Sequence, residues 1–432
     1  MRIGGRLTAA IEVLTALDTQ HRPAAQVLAD WGKAHRFAGS GDRSAIGSLV
    51  YDVLRKRSSL AARMGSDAPR ALVLAAALEA YGMTADEVAA AADGSEHAPA
   101  AMSEEERAAL TRTLPADTPV EIAADVPAWL LSELTEAFGD RVVAEGRALA
   151  ERAPVDLRVN ALKADRDKVL KALARYGAVP TPLAPLGVRI PPPRGLDKAP
   201  HVEAETAHGK GWYEVQDEGS QIAAAMAGAG PRLQVLDLCA GAGGKTLAMA
   251  AGMQNTGQIY AYDEDRQQLR PIFERLKRAG VRNVQVLDGG DEAALMKLGP
   301  RFDVVLVDAP CTGSGTWRRR PDSKWRLKLE ALHQRQKEQA EVLQLAGLMV
   351  KPGGRIVYVT CSVLPAENRD RIENFLKFNA DFTVRPYADA WRASLPGEPP
   401  VSADGRSDGL LLTPASHGTD GFYIATLVRQ TG

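Results

Sequence analysis

Cysteine is scarce in this 432-residue chain, which has three: Cys239, Cys311 and Cys361. So few thiols in so long a chain exclude a disulfide-stapled scaffold and fit a reducing compartment, where free thiols persist and do chemistry. Charge of one sign is lacking too: 53 basic residues against 54 acidic give a net charge of −1. Bulk electrostatics therefore gives no reason to expect nucleic-acid binding, and any such role must rest on local patches. No apolar run approaches the ~18 residues that cross a membrane. The opening MRIGGRLTAAIEVL lacks the basic-then-apolar pattern of a secretory signal, so a cytoplasmic protein is expected. The histidines (His21, His35, His97, His201, His208, His333 and His417) form no close pair with metal-ligand spacing, and no metal is expected.

What remains is ordinary globular composition, 45% hydrophobic and 25% charged, and the length suggests two or three domains at roughly 100 to 200 residues each. Over the first 90 or so positions, RLTAAIEVLTAL, PAAQVLADWGKA, DRSAIGSLVYDVLRKRSSLAARM and APRALVLAAALEAYG space apolar residues at three and four, the period of helices. Residues 91–125, rich in Ala, Pro, Ser and acids, read as a connection with one short helix capped at Ser103. From 126 a helix pair leads to the strand VDLRVNAL, the helix DRDKVLKALARYG and proline-broken pieces up to 212. Those pieces favour edge strands over central ones. A small α+β module therefore spans 126–212.

Beyond 212 the pattern is strand, glycine loop, helix, repeated: QVLDLCAGAGGKTLAMAAGM, QIYAYDEDRQQLRPIFERLKRAG, NVQVLDGGDEAALMKLG, FDVVLVDAPC and RIVYVTCSVLPAENRDRIENFLKFN. Such alternation predicts a doubly wound, mainly parallel α/β sheet over 213–432, with GLLLTP and FYIATLVRQ as a terminal antiparallel pair. Each cysteine ends one of the apolar runs, and ligands of doubly wound sheets bind just beyond the carboxyl ends of the strands. Three thiols are thus expected to converge on one crevice.

The loop CAGAGGKT, residues 239–246, has Cys239 where a phosphate-binding P-loop needs glycine, and its glycines do not follow the dinucleotide fingerprint. A purely structural glycine turn is one remaining reading. The other is a nucleoside-bearing cofactor without a pyrophosphate, for which S-adenosylmethionine is the candidate. Asp237, Asp263 and Asp288, at or near successive strand ends, would accept hydrogen bonds from its hydroxyls or amines. In DAPCTGSGTWRRRPDSKW, residues 308–325, Asp308 is a candidate for bonding a pyrimidine edge and Pro310 for fixing its approach. Arg318, Arg319, Arg320, Lys324 and Arg326 are candidates for phosphates, with Trp317 and Trp325 as flat surfaces. A solvated basic helix start is the competing reading. TCSVLPAENR places Cys361 at another strand end between Thr360 and Ser362. A thiol must ionise to be a nucleophile, and a lysine or arginine of the basic strip is expected to assist.

The set DLCAGAGGKT, VDAPCTGSGTWRRRPDSKW and VTCSVLPAENR resembles the RNA 5-methylcytosine methyltransferases of the Sun (Fmu) type, over about residues 126–432. RVNALK and WYEVQDEGSQ are similar to the family's preceding RRM-like or ferredoxin-like element. GDRSAIGSLVYDVLRKRSSL resembles part of the NusB-like helical domain of the ribosomal-RNA branch. The resemblance implies a helical RNA-binding domain with linker over 1–125, an RNA-binding α+β module over 126–212 and a Rossmann-like S-adenosylmethionine-dependent methyltransferase domain over 213–432.

Carried over by position, the resemblance makes Cys361 the nucleophile that bonds carbon 6 of a cytosine and Cys311 the cysteine that helps resolve the adduct. Cys239, Ala240, Gly241, Ala242, Gly243, Gly244, Lys245, Asp263, Asp288 and Asp308 would line the cofactor and base sites. Arg318, Arg319, Arg320, Lys324 and Trp325 would meet RNA. Where the family usually has CAAPGGKT, this chain has Gly241 and Ala242, so the loop loses a rigidifying proline. A monomer acting on ribosomal RNA is expected. Transfer RNA as substrate, a non-catalytic RNA-binding assembly factor, and a small-molecule or protein methyltransferase are the alternatives.

Overall fold

The computed structural model describes residues 1–193, 195 and 200–431. At the amino end, helix Pro69–Tyr81 is apolar on nearly every side, as a helix at the centre of a bundle must be. It packs among Ile3–Gln20, Ser40–Arg55 and Arg57–Met64, with Leu7, Val13, Leu14, Ile46, Leu49 and Val53 supplying the facing core. The stretch 91–125 carries the expected helix, Glu104–Leu110, closed by a capping box between Ser103 and Glu106. It is nonetheless part of the bundle rather than a bare connection. Ala109 and Leu110 are buried in the core, Arg70 Nε holds Glu106 at 2.8 Å, and Asp125 accepts the Ser59 N–H and hydroxyl at 2.9 and 2.6 Å.

Four short antiparallel strands follow: β1 (Val155–Val159), β2 (Val179–Pro180), β3 (Gly187–Ile190) and β4 (Tyr213–Val215), in spatial order β2-β3-β1-β4. The prolines predict edge strands here, but β3 lies inside the sheet. The four residues of β3 fall between prolines, so every backbone donor of the strand remains available for the ladder.

The large sheet runs β10 (Phe382–Arg385), β12 (Phe422–Arg429), β9 (Val350–Thr360), β8 (Phe302–Asp308), β5 (Gln234–Asp237), β6 (Gln258–Ala261), β7 (Val284–Val286), with β11 (Leu410–Leu412) beside β12. Strands β5 to β9 are parallel and β10 to β12 antiparallel, which includes the terminal pair expected from the sequence. β8 is buried on both faces because helices cover both sides of a parallel sheet. The order reverses at β5: the chain passes outward to β6 and β7, then returns to lay β8 on the other flank. At such a switch point adjacent loops part, and a crevice opens beyond the carboxyl ends of β5 and β8.

Candidate active site

A cleft of 990 Å³ lies at this switch point, lined by the loop after β5, by Asp263 after β6, by Asp308 and Pro310 after β8, and by Val342 and Leu345 of helix Leu329–Met349. The loop owes its shape to two glycines. Gly241 has φ +50° and Gly243 φ +83°, a region that favours residues without a Cβ, and a Cβ on Gly243 would come within 2.5 Å of Ile272. Asp263 does more than face a ligand. One carboxylate oxygen accepts the Gly241 N–H at 2.8 Å and the other the Asp265 N–H at 2.9 Å, so it organises the loop, and burial raises its pKa. Lys245 donates to Asp308 at 2.6 Å. Asp237 is fully buried under the loop and pushed up to about 7 by burial. It accepts the Thr246 hydroxyl at 2.6 Å through one oxygen, and the other has no partner among the described residues.

Asp288 does not join this set. β7 ends two residues earlier, one strand further from the loop, and the chain leaves the sheet there, so the Asp288 carboxylate is 65% exposed and paired with Arg266. Gly290 and Glu292 line the cleft instead. Sequence reasoning also missed Gln216, Gln268 and Arg275, together with Val342 and Leu345, all on the cleft wall. They carry no local motif, since a single leucine on a long amphipathic helix looks the same whether it faces a core or a ligand.

The thiols divide into two places. Cys239 lines the cleft, and burial, followed by the nearby Asp263 carboxylate, pushes its pKa well up. Cys311 and Cys361 meet each other with sulfurs 3.4 Å apart. Parallel pairing of β8 with β9 brings the two strand ends together, with Asp308 opposite Val359. Beyond them the Gly315 N–H donates to the Cys361 carbonyl at 2.9 Å and the Gly421 N–H to the Gly315 carbonyl at 2.8 Å. The Cys361 thiol beside it, and then burial, hold the Cys311 pKa well above its ordinary value. Glu367, missed from the sequence, is fully buried beneath Thr312. Its carboxylate accepts the Thr312 N–H at 2.8 Å, the Thr312 hydroxyl and a Gln339 amide N–H at 3.0 Å. Thr360 and Ser362, expected to surround Cys361, have their hydroxyls engaged with Asn368 and Ser314.

The basic strip is divided: Arg318 and Lys324 are buried, whereas Arg319, Arg320 and Arg326 are exposed. Arg318 and Arg319 both grip Asp420 and also reach Asp217. Lys324 is buried, donates to the Arg55 carbonyl at 2.9 Å and is depressed to about 8 by burial. Trp325 donates to the Leu54 carbonyl at 2.6 Å and packs on the helical bundle. Trp317 is buried in the core of the large sheet. Arg318 and Lys324 are therefore turned away from any RNA surface, against expectation, whereas Arg319 is exposed though paired with Asp420 and Asp217. Carboxylates distant in sequence and the carbonyls of helix Ser40–Arg55 claim their donors. None of these cations bonds Cys361 either. Arg320 alone of the five candidates is exposed with no side-chain hydrogen bond or ion pair among the described residues.

The cleft suits S-adenosylmethionine by its donor set: carboxylates for hydroxyl and amine groups, backbone N–H groups of a glycine loop, and apolar Leu238, Val342 and Leu345 for a flat base. A doubly wound sheet with this loop at the switch point defines the class, a Rossmann-like methyltransferase fold preceded by a ferredoxin-like module and a helical region. Comparison with known proteins agrees. Residues 229–428 match the model of the 16S rRNA methyltransferase RsmB/F family, and residues 126–196 match the ferredoxin-like domain of RsmF/B-like methyltransferases. The chain is 33% identical over 306 residues to ribosomal RNA small subunit methyltransferase B of Salmonella paratyphi B. It is 32% identical over 311 residues to a Synechocystis protein named "Probable ribosomal RNA small subunit methyltransferase B". Each match takes in 70% of this chain and 66% of the relative. The crystal structure of PH0851 superposes with a TM-score of 0.72 at 25% identity, covering 99% of both chains. The chain belongs to the RsmB/F methyltransferase family. Among the described residues no helix is long and apolar enough to cross a membrane, and no group of three or more His, Cys, Asp or Glu residues is placed to hold a metal ion.

Proposed function

We propose that this protein methylates carbon 5 of a cytosine in small-subunit ribosomal RNA, with S-adenosylmethionine as cofactor and Cys361 as nucleophile. The observation that carries the reading is the pair of thiols 3.4 Å apart beside the cofactor cleft. Carbon 5 of a pyrimidine is unreactive until a nucleophile adds at carbon 6, and release of the product then requires loss of the carbon 5 proton. Two adjacent thiols suit those two tasks, one adding to the ring and one assisting its release.

Asp263, the backbone of residues 239–244 and the apolar wall hold the cofactor, which when bound supplies an electrophilic methyl group. The target cytosine is turned out of its stack into the site, where Asp308, fixed by Lys245, bonds its polar edge. The Cys361 sulfur forms a bond to carbon 6, and the displaced electron pair makes carbon 5 nucleophilic. After carbon 5 has gained its methyl group, its proton passes to water and the Cys311 thiol donates its own proton to the departing Cys361 sulfur. The electrons of that C–H bond restore the 5,6 double bond as the sulfur–carbon 6 bond breaks. Cys311, kept as a thiol by its neighbour and by burial, is a poor nucleophile at neutral pH.

Cys361→Ala is expected to abolish methyl transfer while leaving cofactor binding intact. Cys311→Ala is expected to accumulate a protein–RNA complex that survives denaturing electrophoresis. Turnover by Cys361→Ala, or a trapped complex that needs Cys311 instead, overturns the assignment. Bisulfite sequencing of RNA from a deletion strain tests the substrate: a cytosine lost from methylation in small-subunit ribosomal RNA is expected, and a loss confined to transfer RNA refutes that choice.

A further inference from the structure

The cofactor loop has Ala242 and no proline, yet two of its carbonyls are pinned from outside the strand-loop-helix unit. Arg275 Nη1 donates to the Ala242 carbonyl at 2.8 Å, and Arg158 Nη1 donates to the Gly244 carbonyl at 2.6 Å. These two carbonyls flank Gly243, the second of the loop's two left-handed residues. Neither arginine is free to wander. Arg275 is forked onto Glu214 of β4 at 3.1 and 3.0 Å, and Arg158, in β1 and buried, is bonded to Gln216 at the end of β4. Glu214 is itself buried and shared with Arg278.

We infer that Arg158 and Arg275 are positioning residues that do a proline's work in the cofactor loop, Arg158 directly from the four-stranded module and Arg275 from helix Ile272–Ala279, tied to that module through Glu214, and so set cofactor affinity from a neighbouring sheet. The inference rests on the cofactor reading above and goes beyond it. A proline restrains the loop covalently through its fixed φ. Here the same restraint comes through charge-assisted hydrogen bonds, whose strength depends on how the module seats against the large sheet. Anything that shifts β1 and β4, including RNA bound on that module, then changes affinity in the cleft, and by reciprocity the cofactor changes affinity on the module.

The test uses the full chain and reads binding of S-adenosylmethionine by calorimetry, in the absence of RNA. Arg275→Gln is expected to weaken binding about tenfold, the loss of one hydrogen bond from a charged donor, and to lower the melting temperature, because the buried Glu214 keeps only Arg278. Adding Ala242→Pro to Arg275→Gln is expected to restore the lost affinity, because proline reinstates the restraint without the arginine. Unchanged cofactor affinity in Arg275→Gln overturns the inference. So does failure of the proline to restore binding in the double variant. A wild-type chain that binds no S-adenosylmethionine would instead overturn the cofactor reading itself, so the two failures are distinguishable.

Discussion

Replacing Arg318 by glutamine decides between two accounts of the basic strip. The guanidinium lies buried with Nε on Asp420 and Nη2 within 3.4 Å of Asp217 and 3.2 Å of the Gly418 carbonyl. The substitution would leave the buried Asp420 with Arg319 as its one remaining arginine and Asp217 with one partner fewer. Removing one member of a buried ion pair costs about 3 to 5 kcal/mol, because an uncompensated charge stays behind in a site with little water. In a domain of this size that corresponds to a fall on the order of 10 °C in melting temperature, read by scanning fluorimetry. The RNA side gives the contrast. Each phosphate contact contributes about one unit to the slope of log affinity against log salt, and a buried arginine contributes none. Arg318→Gln should therefore keep the wild-type salt slope at temperatures where it is folded. Arg320→Gln, exposed and unpaired, should leave stability within about 0.5 kcal/mol and lower the slope by about one. An Arg318→Gln variant with wild-type melting and a reduced slope would refute the inward assignment.

Asp237 predicts a pH effect. Its folded value, about 7, lies above the ordinary 3.8, so the folded state holds the proton more tightly. The stability it contributes is fully present below pH 4 and is lost as the pH rises through 7. Urea unfolding of Asp237→Asn against wild type should show the variant gaining relative stability across that interval, and a constant difference would contradict it. Gly243→Ala places a Cβ against Ile272 in a left-handed residue, which should cost about 2 to 4 kcal/mol and loosen cofactor binding measured by calorimetry. Wild-type binding by that variant would show that the loop geometry is misdescribed. Glu367→Gln turns an acceptor oxygen into an amide that faces the donors of Thr312 and Gln339. The variant should melt lower by several degrees and lose methyl transfer, and unchanged activity would remove Glu367 from the support of Cys311.

Much of this molecule was legible because its signals are local. Strand-end aspartates, the glycine loop and the thiols each sit in a short motif whose backbone position follows from strand, turn and helix in order. The parallel sheet and the terminal antiparallel pair were read the same way. What failed was whatever depends on partners distant in sequence. Arg318 looks like part of an RNA-facing strip until Asp420, about 100 positions away, is brought against it. Lys324 and Trp325 look solvated until helix Ser40–Arg55 presents its last carbonyls. Asp288 shared the strand-end pattern of Asp263 but lies one strand further from the switch point, and only the strand order shows that. The assistance expected from the strip for Cys361 is absent for the same reason, since those cations already have counter-charges.

The seat of Lys324 also bears on how the chain comes apart. Its ammonium is satisfied by a carbonyl of the helical bundle, and Asp125, which bonds Ser59, is the negative charge that favours its proton. A cut that removed the first 125 residues would take away both at once. It would also leave Trp325 without its hydrogen-bond acceptor, a few residues beyond the loop that follows Cys311. The catalytic half is thus unfinished by itself, and the chain should unfold in one calorimetric transition, with the bundle and the large sheet melting together.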